Sequence, residues 1–282
     1  MTLTLFTVAL IGHREGARVI MSIPELTLYH GWTSSASRKV RFCLGEKGLP
    51  YRVVSMSISK FEHHADWYKK LNPSGVVPAL LVDGVPLVES NFINEYLDER
   101  FPEPALRPAD PLERHDMRVW SKYIDEICLP AIQKHNWMMK YHPMAREWSD
   151  EELERRLAAI PTENRRHVWY RMARDPYTCE ELETALGVLR DMADRIDGRC
   201  ARAGWIVGDA FSLADINAAP YAKRLDELAP EELTAAKRPH AAAWWAALQA
   251  RRGYIEAEIG DFMEQSQAGW PSAYHSELEK PT

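Results

Sequence analysis

Residues 101–111, Phe-Pro-Glu-Pro-Ala-Leu-Arg-Pro-Ala-Asp-Pro, hold four prolines in eleven positions and separate two stretches of different hydrophobic period. Proline fixes φ and lacks a backbone donor, so neither a helix nor a central strand runs through such a segment. Before it, apolar residues fall in short alternating blocks with turn residues between them, the pattern of strands mixed with a few helices. After it, the apolar spacing is helical and strand signals are missing. The chain is therefore expected to fold as an α/β unit followed by an all-α unit. Its 282 residues, 46% of them hydrophobic, suffice for two cores.

In the first stretch, residues 25–30 alternate as a strand, and the loop Gly31-Trp32-Thr33-Ser34-Ser35-Ala36 follows. Residues 37–47 read as a helix with Val40, Cys43 and Leu44 inward and Gly48 as its stop. Residues 51–56 form a second strand, and 66–71 a helical turn. A strand opened by Pro78, an Asp83-Gly84 hairpin and a strand at 86–88 come next. Ser90 is expected to cap a helix over 91–100. The order β-α-β-α-β-β-α is thioredoxin-like, an α/β layer built on a mixed sheet. Beyond the prolines, 112–128 has a strong helical period, Ser149-Asp150-Glu151-Glu152 starts another helix, and 178–199 forms a long one. Ser212-Leu213-Ala214-Asp215 is a capping pattern before a buried helix, and 240–251 carries Trp244 and Trp245. The expected division is 1–24 a disordered extension, 25–101 the α/β domain, 102–111 the linker, 112–264 the helical domain and 265–282 a loose tail.

A net charge of −6 argues against nucleic acid or an anionic membrane as main partner. No stretch has the length of a membrane span, and residues 2–11 lack the basic start and cleavage site of a secretory signal. Cys43, Cys128, Cys179 and Cys200 are widely spaced, so they read as reduced thiols of a cytoplasmic protein rather than a disulfide framework. His63-His64 has no further ligand at metal-binding spacing, and no metal is expected.

The segment Asn72-Pro73-Ser74-Gly75-Val76-Val77-Pro78-Ala79-Leu80, followed by Glu89-Ser90, carries the functional signal. If the Val77–Pro78 bond is cis, a minority state that folds keep for a use, the Val77 backbone groups turn away from the sheet. They can then hold an extended peptide-like ligand by strand addition.

This segment, with Asp83-Gly84 and the Glu-Ser pair, resembles the glutathione-binding half of the cytosolic glutathione S-transferases. Gly208-Asp209 and Ser212-Leu213-Ala214-Asp215-Ile216 resemble the capped core helix of that family's helical domain. The resemblance covers roughly residues 25–262. It implies a glutathione-transferase-like fold with glutathione as co-substrate, Val77 and Pro78 at its cysteinyl backbone, and Glu89 and Ser90 at its γ-glutamyl end. It places His64 where relatives carry a basic group for the glycyl carboxylate, with Lys60 a weaker candidate; a plain surface histidine is the competing reading of His64. The family's thiol-activating position falls on Ser34, Ser35 and Ser37, with Ser34 first by its distance from Lys39-Val40-Arg41. The alternative for each is a helix cap. A free thiol ionises near pH 8.5, so a donated hydroxyl and a helix N-terminus serve to favour the thiolate. Trp32, Tyr123, Trp137, Met138, Met139 and Tyr141 are candidates for the wall of an aryl-substrate pocket between the domains.

Residues 59–73, 106–111, 117–122, 160–161 and 169–174, with extra helical material at about 141–177, are similar to the bacterial β-etherase branch. Its members cleave β-aryl ethers of lignin-derived dimers in aromatic catabolism. The resemblance implies an aromatic electrophile and a homodimer or a heterodimer with a related subunit. A general glutathione transferase and a non-catalytic glutathione-binding subunit stand as alternatives.

Overall fold

The computed structural model describes residues 24–260. The expected tail, and the expected extension apart from residue 24, lie outside them.

Four strands form one mixed sheet in the order β2-β1-β3-β4. β1 (Leu26–His30) runs parallel to β2 (Arg52–Ser55), pairing Leu28 with Val53. It runs antiparallel to β3 (Ala79–Val82), pairing Leu28 with Leu80. β4 (Val85–Val88) returns from β3 through the Asp83-Gly84 turn. Both turn residues have positive φ, 48° and 83°, as a two-residue hairpin of the primed type requires. The Asp83 carboxylate also accepts from the Glu25 N–H at 2.8 Å, which ties down the start of β1.

Helix α1 (Ser35–Glu46) begins two residues earlier than its apolar spacing predicts, with Ser34 as its N-cap. It is buried on nearly all sides. Val40, Cys43 and Leu44 face the core, and Arg38, Lys39 and Arg41 are buried too. Cations inside a core require partners. The Arg38 and Arg41 guanidiniums donate to the carbonyls of Gly260 and Ala257, beyond α12 (Arg252–Glu256). Gly45 permits this packing, since a Cβ there would come 2.9 Å from the Gly253 carbonyl oxygen. α2 (Asp66–Leu71) and α3 (Ser90–Arg100) complete the α/β layer. Ser90 is the first residue of α3 rather than its cap; Glu89 holds the cap position with φ 66° and no capping side chain. The β4 strand ends in that left-handed residue, so the cap lies one residue before the hydroxyl. Buried Lys47 then pins the proline-rich crossing by donating to Asp98 and to the Phe101 and Pro104 carbonyls.

The helical layer starts at α4 (Pro111–Tyr123), capped by Asp110, whose carboxylate accepts from Leu112 and Glu113 N–H groups. A π-helical turn over Ile124–Cys128 joins it to α5 (Leu129–Lys140). α6 (His142–Ala145), α7 (Asp150–Ala159) and α8 (Glu163–Arg174) make an excursion with its own aromatic core, in which Trp169 lies 4.9 Å from Trp137 and 5.4 Å from Trp148. α9 (Cys179–Cys200) begins at a capping box between Thr178 and Glu181. α10 (Leu213–Leu228), buried over most of its length, begins at another between Ser212 and Asp215. α11 (Pro239–Gln249) closes the core with Trp244 and Trp245. Among the described residues no helix is long and apolar enough to cross a membrane.

Candidate functional site

A cavity of about 400 Å³ lies where the sheet layer meets α5 and the α6–α8 excursion. The β1–α1 loop forms its floor. The Ser34 N–H donates to the Gly31 carbonyl at 3.1 Å, so the loop is a tight turn running into the helix. The Ser34 hydroxyl, on the cavity wall, accepts from the Ser37 N–H at 3.3 Å. That contact uses an oxygen lone pair and leaves the hydroxyl hydrogen to be donated elsewhere. Ser35 also lines the cavity and is 7% exposed.

Ser37 departs from expectation. It is fully buried and off the cavity wall, and its hydroxyl accepts from the Gly31 N–H at 3.2 Å. Because α1 starts at Ser35, Ser37 lies inside its first turn and braces the loop from behind.

The Val77–Pro78 bond is cis, and both residues line the cavity. Their loop is held through its neighbour. The Val76 carbonyl accepts from Tyr68 Oη at 2.8 Å and from Asn72 Nδ2 at 2.7 Å. Glu89 and Ser90 line the cavity together with Asp125 from the π-helical turn. The Asp125 carboxylate is held by Lys39 Nζ at 2.5 Å and Asn91 Nδ2 at 2.7 Å. Its place at the cavity was not foreseeable from spacing. An extra residue in a helical turn, frequent at functional sites, re-aims side chains and leaves little trace in the sequence.

His63, His64 and Gly75 line the cavity as well. Gly75 has φ 58°, and a Cβ there would come 2.7 Å from His64 Nδ1 and 3.1 Å from Pro161 of the excursion. His64 is neither a surface residue nor a cation. Burial first, then the nearby charges of Lys69 and Arg165, pull its pKa down to about 4. Burial, then His64 and Arg165, pull His63 down to about 3. Both rings are neutral at neutral pH, and neither Nδ1 has a hydrogen-bond partner. Lys60 is exposed.

The wall facing the loop comes from Leu129, Gln133, Asn136, Trp137, Tyr141, Arg165 and Trp169. Trp137 and Tyr141, named as candidates for the wall, line the cavity. Trp32 and Tyr123 do not. The Trp32 ring lies in the core beneath the loop, donating Nε1–H to Ser55 Oγ at 3.0 Å with the Arg41 guanidinium 4.7 Å over it. Tyr123 packs against Trp120 and the Arg195 guanidinium. Met138 joins the aromatic core of the excursion, and the Met139 sulfur accepts from Arg224. Lys140 ends α5 by donating to Thr33 Oγ1 at 3.0 Å; burial lowers its pKa to about 8. Among the described residues no cluster of three or more His, Cys, Asp or Glu could hold a metal ion.

Residues 24–99 match the description "Glutathione S-transferase, N-terminal domain", and residues 164–252 match "Glutathione S-transferase, C-terminal domain". Protein LigF of Sphingobium sp. (strain NBRC 103272 / SYK-6) is 38% identical over 194 residues, 68% of this chain and 75% of that protein. Maleylpyruvate isomerase of Ralstonia sp is 41% identical over 93 residues, which span 33% of this chain and 44% of that protein. Among solved structures, the beta-etherase LigF from Sphingobium sp. strain SYK-6 superimposes with a TM-score of 0.76 at 34% identity, over 82% of this chain and 98% of that one. A theta class glutathione S-transferase from Xanthomonas axonopodis pv. citri, with glutathione bound, shares the fold at a TM-score of 0.65 and 23% identity, over 85% of this chain and 99% of that one. The chain belongs to the glutathione S-transferase family, with glutathione as its co-substrate.

Proposed function

We propose that the protein cleaves β-aryl ether bonds in lignin-derived aromatic dimers by glutathione-dependent substitution. The observation that carries this reading is the meeting, in one cavity, of the Ser34 loop, the Val77–Pro78 segment, the Glu89-Ser90 pair and an aromatic wall of Trp137, Tyr141 and Trp169. The likeness to LigF supports it. Val77 pairs with the cysteinyl backbone. Glu89 and Ser90, with Asp125, hold the γ-glutamyl amine and carboxylate. The thiol then lies over the start of α1, where the Ser34 hydroxyl and the helix N-terminus favour the thiolate. Ser35 is the second candidate.

The thiolate sulfur attacks the carbon that bears the aryloxy group beside a ketone. A C–S bond forms, the C–O bond breaks, and the electron pair leaves with the aryloxide, which takes up a proton from solvent. The ketone is unchanged, and the product is a glutathione thioether. The protein contributes position and ionisation of the thiol. The family habit of dimerisation and a cytoplasmic setting belong to the same proposal.

The test is turnover of a racemic β-aryl ether ketone with glutathione, following release of the phenol. Release by wild type, sharply reduced in Ser34→Ala, is expected. Glutathione binding without release, with thioether formation on other aryl electrophiles, would instead make the protein a general transferase of the family.

A further inference from the structure

We propose that Arg165 of α8 recognises the C-terminal carboxylate of glutathione, so that the α6–α8 excursion completes the binding site for the tripeptide. The inference rests on the reading of the cavity given above.

An extended tripeptide spans roughly 10 Å. With its γ-glutamyl end at Glu89 and Ser90 and its cysteinyl unit at Val77, its remaining residue runs toward Gly75, His63 and His64. A carboxylate arriving there needs a cation or several donors. The two histidines are neutral, so they supply at most single hydrogen bonds. Arg165 is on the same stretch of wall, and its charge acts on both histidine rings.

Arg165 has the character of a group awaiting an anion. Burial is the main influence on its pKa, opposed only by Tyr141, and no carboxylate pairs with it among the described residues. With the Gln133 amide oxygen turned toward it, Gln133 accepts from Nη1 and Nη2 at 3.2 Å, and the Trp137 ring lies 5.9 Å away. A neutral amide and a ring are weak compensation for a sequestered guanidinium, which keeps its proton in proteins. Its planar fork suits a carboxylate.

The excursion is also fastened to the histidine segment. Trp169, one turn along α8, lies 4.6 Å from Phe61, and Pro161 abuts Gly75. Arg165 is thereby held against the loop that flanks the glycyl end.

The experiment is calorimetric binding of glutathione and of its glycyl monoethyl ester to wild type, Arg165→Gln and Arg165→Lys. A hydrogen-bonded ion pair is worth about 10- to 100-fold in affinity. Wild type is expected to prefer glutathione to the ester by about that factor. Arg165→Gln is expected to weaken glutathione by a similar factor while leaving the ester unchanged, and Arg165→Lys to recover part of the preference. Equal binding of both ligands by wild type overturns the inference without any variant. So does a preference that survives in folded Arg165→Gln, including the case where that variant loses only electrophiles bearing a carboxylate. A folded wild type that binds neither ligand removes the underlying functional reading instead.

Discussion

Lys39 Nζ on α1 lies 2.5 Å from Asp125 Oδ1 on the π-helical turn, an ion pair that joins the sheet layer to the helical layer beside Asn91, the residue after Ser90. The Lys39 side chain has no exposure, whereas that of Asp125 is 36% exposed. Burial lowers the lysine's pKa, and Asp125 is the strongest influence raising it. Removing the carboxylate leaves a buried ammonium with the Asn91 amide oxygen at 3.2 Å and the Tyr221 ring 5.6 Å away, and no carboxylate bonded to it among the described residues. Asp125→Ala is expected to cost about 1–3 kcal/mol, below the range for a fully buried pair because water reaches the aspartate. Urea unfolding measures the cost. Glutathione affinity should fall in the same variant.

Ser34 and Ser37 should separate chemistry from stability. Ser34→Ala is expected to raise the pKa of bound glutathione by about 1–2 units, the worth of one hydrogen bond to a charged group. Thiolate absorbance titrated against pH measures it directly. Ser37→Ala leaves the Gly31 N–H buried without its acceptor. That variant should lose about 1–3 kcal/mol of stability with the thiol pKa unchanged in whatever fraction remains folded.

Asp215 is more than a cap. Its carboxylate accepts from the backbone N–H groups of Ile206 and Ser212, the Ser212 hydroxyl and the Trp244 indole. Loss of a cap alone costs about 1–2 kcal/mol. Asp215→Ala also orphans buried donors from α11 and the segment before α10, so about 3 kcal/mol or more is expected. Asp215→Asn keeps one acceptor oxygen and should fall between the two. Denaturant midpoints order the three proteins.

Stability should rise with pH from about 4 to about 6.5 because of His63 and His64. Their folded pKa values, about 3 and about 4, are below the unfolded value of about 6.5. Across that interval the unfolded chain binds more protons, so the unfolding free energy increases with pH. The contribution is complete above about 6.5 and is lost as pH falls. Asp215 opposes it: burial raises its pKa to about 6 from about 3.9 unfolded. Between those values the folded chain binds the proton, and stability falls as pH rises. The double variant His63→Gln, His64→Gln should therefore lose the rise or reverse its sign. Urea unfolding at several pH values checks this.

Features legible in the chain are those settled by residues a few positions apart. The Asp83-Gly84 hairpin and the helix starts at Ser149 and Ser212 are present, and the Val77–Pro78 bond, considered as cis from the sequence, is cis. Each depends on a local backbone preference or on a side chain reaching its own helix start. The Glu89-Ser90 pair reached the cavity for the same reason, through the short β4–α3 junction. Ser37 was misplaced because a two-residue shift in where α1 begins turns a hydroxyl from the cavity to the core. Trp32 and Tyr123 were misplaced because aromatic character does not say which side of an element is covered.

The order of elements in the α/β layer, the two-layer architecture and the segment around Val77-Pro78 were legible in the sequence alone, since periodicity, proline placement and turn chemistry act locally. Tertiary structure decided which serine faces the cavity, why both histidines are neutral, and that Asp125 and Arg165 come to the site at all. Those outcomes depend on burial and charge contributed by elements far apart in the chain: Lys39 against Asp125, and Arg165 against His63 and His64. Desolvation is a property of the packed surroundings, and no spacing of residues along one segment records it.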